Sequence, residues 1–172
     1  MATLTLSVDA PRPTLRVVFD RANDRFAHCI EWCDAAGNWQ PLLTSIEGTS
    51  DDCWPPSPVV QEVHLEDRND GSRVALCVGR AGKSHWSLSV SIAADGRSLD
   101  IQSACRVRET PGALGSAYEI VDVNSLERLR IAPASNATTQ NEERRVGFLP
   151  SAVLQGVPNT IAWDYAISIA AT

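Results

Sequence analysis

Short runs in which apolar and polar residues alternate recur along the whole chain, and clusters of Gly, Pro, Asn and Asp separate them. This alternation is typical of half-buried β-strands, because successive side chains of a strand point to opposite faces of the sheet. No stretch carries the periodicity of a sustained amphipathic helix. The sequence therefore predicts an all-β protein, a twisted antiparallel β-sandwich with little or no helix.

Twelve runs fit the strand pattern: Thr3–Val8, Thr14–Phe19, Phe26–Cys33, Trp39–Ile46, Val59–Glu66, Arg73–Arg80, His85–Ala93, Ser98–Val107, Ala117–Val121, Glu127–Ala132, Val146–Leu149 and Thr160–Ala170. Two other segments do not fit it. Ser135–Glu143 is polar and unpatterned, so we expect an exposed, mobile loop there. Ser125–Arg130 could form a helical turn, but nothing extends that pattern into a longer helix.

One dipeptide gives a sharper prediction of strand register. Asp95-Gly96 lies between two alternating runs, and it signals a β-hairpin because a type I′ turn needs a positive φ at both central residues. A two-residue loop at this point places Trp86 opposite Cys105. The large apolar residues of the two strands then fall together on one face, as a correct register requires.

Asp70-Gly71 predicts a second hairpin by the same argument, with Leu65 opposite Leu76. A three-residue loop at 81–83 would join the two hairpins. Four consecutive strands therefore form a predicted meander, and their apolar side chains share one face.

The opposite face of this meander is the candidate ligand site. The predicted register puts Glu62, His85 and Arg106 in one row and His64 in the next, with small side chains between the charged positions. Carboxylate, imidazole and guanidinium groups can hydrogen-bond sugar hydroxyls, and small residues let a sugar ring approach the sheet. Two alternatives stay open: the face is the solvated side of an antiparallel sheet, or a second sheet covers it.

Trp54 is a further candidate for ligand binding. It lies in the segment Asp51–Pro58, in which three prolines restrict the backbone. An aromatic side chain on a stiff loop can stack on a sugar ring. The alternative is that Trp54 closes the open end of the sandwich. His28 shares its strand face with apolar residues, which favours a buried histidine over a ligand-binding one.

Length and charge restrict the possible functions. A chain of 172 residues is expected to form one domain, spanning 1–172. The formal net charge of −6 argues against a nucleic-acid partner, because such a protein needs basic surface to neutralise phosphates. No apolar run is long enough for a membrane helix, and the first residues lack the basic flank of a signal peptide. We therefore expect a cytoplasmic protein without a membrane partner.

The sequence contains no motif for a metal, a cofactor or a catalytic nucleophile, so we expect no cofactor. The five cysteines include no CxxC pair. Cys29 and Cys33 would lie about 13 Å apart on one strand, too far for a disulfide or a shared zinc ion. Buried free thiols are the favoured interpretation.

Two parts of the chain carry a family resemblance. Residues 25–30 (RFAHCI) with 39–43 (WQPLL), and the hairpin of 85–101 around Asp95-Gly96, resemble the corresponding hairpins of galactose-mutarotase-like domains. The segments 54–58 and 82–86 also resemble segments of short bacterial proteins from Planctomycetes. The family resemblance implies a supersandwich whose concave sheet faces a carbohydrate.

Mutarotases transfer protons with two histidines and a glutamate, and His85 and Glu62 are the residues that the resemblance proposes for those roles. The chain is much shorter than a mutarotase, which favours a binding domain. Three hypotheses follow: a non-catalytic carbohydrate-binding domain, a small mutarotase-like or epimerase-like enzyme, and an interaction domain that forms a homodimer through a sheet edge or an apolar patch.

Overall fold

The computed structural model describes residues 2–12, 14–152 and 155–170. Within these ranges the chain forms strands and one short 3₁₀ helix, Val123–Arg128. The strands are β1 (Thr3–Leu6), β2 (Thr14–Ala22), β3 (Arg25–Cys33), β4 (Trp39–Ser45), β5 (Glu62–Asp67), β6 (Arg73–Ala81), β7 (Ser84–Ile92), β8 (Ser98–Val107), β9 (Ser116–Ile120), β10 (Leu129–Pro133), β11 (Ala137–Glu142), β12 (Arg145–Pro150) and β13 (Asn159–Ile169). No helix of the described residues is long and apolar enough to cross a membrane.

Two antiparallel sheets contain these strands. The seven-stranded sheet has the order β1-β2-β3-β4-β9-β12-β11, and the six-stranded sheet has the order β10-β13-β8-β7-β6-β5. One hydrophobic cluster draws its buried side chains from both sheets. The ring of Phe148 on β12 stacks on that of Tyr165 on β13 with centroids 3.7 Å apart. The predicted all-β sandwich is confirmed.

The register of β7 and β8 is as predicted, although the turn is not. Trp86 pairs with Cys105 and His85 pairs with Arg106. The loop is not a type I′ turn, because Gly96 has a positive φ of 68° and Asp95 does not. The Gly96 N–H donates instead to the Ala93 carbonyl, which makes a longer loop with the same strand register.

The predicted register of β6 is wrong by one residue on both sides. Leu65 pairs with Ala75 rather than Leu76, because the loop after β5 has three residues instead of two. The loop before β7 has two residues instead of three, since Ala81 pairs with Ser84. The β6 side chains that were predicted to face the core therefore face outward, and those predicted to face outward face the core. Leu76 and Val78, predicted to face the core, are 42% and 50% exposed.

Packing at Gly79 explains why β6 takes this register. Gly79 lies opposite Trp86, whose indole is buried. A Cβ at residue 79 would overlap the backbone carbonyl of Val59. Only glycine permits this close approach of the two backbones. The side chains on the same side of β6 as Gly79 must therefore face inward. The other set of β6 side chains is then left on the outer face.

The predicted mobile loop Ser135–Glu143 is also wrong. Most of it forms β11, which pairs with β12 at the edge of the seven-stranded sheet. Apart from Ala137, its side chains are exposed. Ala137 is the one residue of this strand that packs on the core, so no apolar alternation marks the strand in the sequence.

Candidate ligand-binding face

The outer face of the six-stranded sheet is open to solvent. On β7 the outward positions are His85 and three serines, and on β8 they include Gln102 and Arg106. These side chains are exposed or half-buried. The alternative that a second layer covers this face is therefore excluded among the described residues.

A depression of about 420 Å³ lies at one end of this outer face. Glu62, His85 and Arg106 all line it, as the sequence predicted. Its floor includes small side chains, among them Ala104 and Ser87. We name this feature the basic depression, because Arg80 also lines it and is the neighbour of His85 on the side away from Arg106.

The geometry within the basic depression differs from the predicted row. Glu62 lies opposite Val78, not Gly79. Strand β6 separates Glu62 from His85, so their strands are about 10 Å apart at a spacing of about 4.8 Å per strand. His85 and Arg106 are direct cross-strand neighbours. None of these three residues takes part in an ion pair between described residues, which leaves their polar groups available to a ligand.

The structure does not bring the other two candidates into the basic depression. His64 points outward from β5 but lies opposite Leu76, one step further along the sheet, and it contacts Glu66 at 3.4 Å. Trp54 is half-buried against the hydrophobic core. Its ring also packs beside Gly112. This position fits the alternative that Trp54 closes the end of the sandwich better than a role in stacking on a ligand.

A buried polar network inside the sandwich was not predicted from the sequence. His28 Nε2 lies 2.9 Å from the Tyr118 hydroxyl, which lies 2.7 Å from the Tyr165 hydroxyl. Trp163 Nε1 donates to Ser116 Oγ at 2.9 Å. The sequence predicted the burial of His28 from the apolar residues on its strand face, and His28 is buried. It gave no signal for the two tyrosine partners. These side chains are almost fully buried, so a substrate cannot reach them and the network is structural.

Burial sets the protonation states of this network. It lowers the pKa of His28 to about 4, so the imidazole is neutral at physiological pH. It also raises the pKa of Tyr165 to about 12 and that of Tyr118 well above its ordinary value. The network therefore consists of neutral hydrogen-bonding groups around neutral pH.

Glu47 lies at the margin of the same network. Ser45 Oγ accepts a hydrogen bond from the His28 backbone N–H at 2.8 Å and donates one to Glu47 Oε1 at 2.7 Å. Glu47 Oε2 is buried and has no partner among the described residues. Burial raises the pKa of Glu47 to about 7, although the hydrogen bond from Ser45 and the charge of Arg25 oppose the rise.

The described residues contain no group of three or more His, Cys, Asp or Glu side chains that could hold a metal ion. All five cysteines are free thiols; Cys33, Cys77 and Cys105 are buried, Cys29 is half-buried and Cys53 is exposed. Burial raises the pKa of both Cys77 and Cys105 to about 12, which keeps these two thiols protonated and unreactive.

The fold and this face define an antiparallel β-sandwich that leaves a polar sheet face open at one side. No protein-family model matches the sequence, and no curated protein matches it.

Proposed function

We propose that this protein is a non-catalytic carbohydrate-binding domain and that the basic depression is its ligand site. The observation that carries the proposal is the convergence of Glu62, His85 and Arg106 around one open depression with a floor of small residues. A carboxylate accepts hydrogen bonds from hydroxyls, and a guanidinium donates hydrogen bonds to them. Together they suit a ligand whose hydroxyls both donate and accept hydrogen bonds.

Apolar contact adds to this argument. Val78 lines the basic depression and is 50% exposed, and Ala104 lines it from β8. A sugar ring carries C–H groups on its face, and these can pack on exposed methyl groups while the hydroxyls reach the charged rim. The resemblance to galactose-mutarotase-like domains, whose concave sheet binds sugars, agrees with this assignment and belongs to the proposal.

The proposal is limited to binding because the basic depression brings together too few of the proton-transfer groups that the resemblance implies. Mutarotases use two histidines and a glutamate, and His85 is the only histidine among the residues that line the basic depression. Glu62 and His85 stand on strands about 10 Å apart, with β6 between them. That spacing suits hydrogen bonds to opposite sides of one sugar ring.

Arg106→Ala is expected to weaken saccharide binding at least tenfold, since a charge-assisted hydrogen bond contributes about 1.5–3 kcal/mol. Isothermal titration calorimetry with glucose, galactose and β-linked hexasaccharides measures the change. Arg130→Ala is the matched control, because Arg130 is an exposed arginine on β10 outside the basic depression. Equal losses in both variants, or no saccharide bound by the parent chain, would reject the proposal.

A homodimer is the second candidate function, and one observation favours it. Leu76 and Val78 form an exposed apolar pair at the centre of β6 on the open face. Such a patch is typical of interaction surfaces. A dimer through this face would bury the basic depression, so saccharide and second copy would compete. Light scattering that gives the mass of a single chain at all concentrations removes this candidate.

A cytoplasmic location is also part of the proposal. The five cysteines form no disulfide with one another. Free thiols are kept in that state in a reducing compartment.

A further inference from the structure

A second depression, of about 580 Å³, lies on the same outer face of the six-stranded sheet. Asp100 and Gln102 of β8 line it, together with Asp164 of β13 and Ser91 of β7. Arg68 reaches it from the loop after β5. We name it the acidic depression.

The two depressions adjoin along β8. The outward positions of this strand are Arg106 and Ala104 in the basic depression, followed by Gln102 and Asp100 in the acidic one. Ala104 and Gln102 are consecutive outward positions, so no residue of β8 stands between the two depressions. Arg106 and Asp100 are six positions apart on β8, which corresponds to about 20 Å along the strand.

The strands on both sides of β8 keep this path clear. Ser87 and Ser89 on β7 pair with Ala104 and Gln102, and Ala162 on β13 pairs with Ala104. All three neighbours have small side chains. The outer face therefore has a continuous floor from Arg106 to Asp100 without a bulky barrier.

The polar groups change along this path. At one end Arg106 and His85 supply donors beside the single carboxylate of Glu62. At the other end Asp100, Asp164 and Gln102 supply carboxylate and amide acceptors beside the single guanidinium of Arg68. A single sugar ring would occupy only the basic depression. A chain of hydroxyl-bearing rings could use both ends and would lie over small residues between them.

We propose that the ligand is a linear, extended oligosaccharide that lies along β8 and occupies both depressions. This inference rests on the proposed function and names its ligand class. An extended chain with equatorial linkages matches a straight path along one strand, whereas an α-linked chain curves away from it. Affinity therefore increases with chain length beyond the disaccharide.

Calorimetry with length-matched pairs tests the inference: cellobiose against cellohexaose, mannobiose against mannohexaose, and xylobiose against xylohexaose, with maltohexaose as the curved comparison. The hexasaccharide of at least one extended pair is expected to bind at least tenfold more tightly than its disaccharide. Asp164→Asn should reduce hexasaccharide binding and leave disaccharide binding unchanged. Asp51→Asn, in an exposed loop away from both depressions, is the matched control.

The outcomes separate the two proposals. Equal affinity for disaccharide and hexasaccharide, unaffected by Asp164→Asn, would overturn the extended ligand and leave the basic depression as a site. Preference for maltohexaose would also overturn it. If no saccharide binds at all, the proposed function fails and this inference fails with it.

Discussion

Trp163→Ala is expected to lower the free energy of unfolding by about 3–5 kcal/mol, the typical cost of removing a large aromatic side chain from a core. The indole of Trp163 is fully buried, and its ring packs edge-on to that of Trp86 with centroids 6.1 Å apart. The substitution also removes the hydrogen bond that Trp163 Nε1 donates to Ser116 Oγ. The loss is large relative to the roughly 5–15 kcal/mol that stabilises a typical domain.

Denaturant unfolding of Trp163→Ala and Trp39→Ala provides a matched comparison of the same substitution. Trp39 is only half-buried on β4, and the Arg16 guanidinium lies over its ring, 4.0 Å from the centroid. Its loss is expected to cost about 1 kcal/mol. If the Trp163→Ala variant does not fold, Trp163→Phe, which keeps most of the side-chain volume, replaces it in the comparison. A larger cost at Trp39 than at Trp163 would contradict the packing described here.

Between about pH 4 and about pH 8, the free energy of unfolding of Glu47→Gln is expected to rise by about 3 kcal/mol relative to that of the parent chain. Folding raises the pKa of Glu47 from its ordinary value of 4.5 to about 7. The native state therefore holds a proton over a range in which the unfolded chain has released it. The associated stability is fully present below pH 4.5 and is lost as the pH rises through about 7. Glutamine has no proton to release, so the variant lacks this loss.

His28 contributes a pH dependence of the opposite sign. Burial lowers its pKa from 6.5 to about 4, so stability is fully present above pH 6.5 and is lost as the pH falls through about 4. The two contributions oppose each other in the parent chain between pH 4.5 and 6.5. Unfolding free energies from urea titrations across this range should be nearly flat for the parent and should rise with pH for Glu47→Gln. Parallel profiles for the two chains would show that Glu47 is not buried as described.

The sequence was sufficient for the fold class and for the hairpin of β7 and β8. In that hairpin one alternating set is apolar and the other is polar, so only one register separates them. Strand β6 lacks this contrast, because Leu76 and Val78 alternate with Ala75, Cys77 and Gly79 and each side of the strand also carries one arginine, Arg80 or Arg73. Its register depends on the approach of Val59 to Gly79, a long-range contact that no local pattern encodes.

The same difference accounts for what was predicted of the candidate site. His85 and Arg106 were placed side by side because both lie in the well-determined hairpin. Glu62 reaches the basic depression in spite of the register error, since it points outward in either register. His64 was placed by the same register in the next row, and it does point outward one step along β5 from Glu62. Trp54 was chosen for its residue type, and its position depends on tertiary packing that no local pattern encodes. The acidic depression could not be predicted from the sequence, because it depends on the pairing of β13 with β8, two segments that are far apart in the chain.

The most direct test of the account is an NMR titration of the isotope-labelled protein with the best-binding extended hexasaccharide. The amide signals of β7 and β8 are expected to shift together, from His85 and Arg106 to Ser91 and Asp100, while those of the seven-stranded sheet stay in place. The absence of shifts on β7 and β8, or shifts confined to the seven-stranded sheet, would contradict the claim that the open face of the six-stranded sheet is the ligand-binding surface.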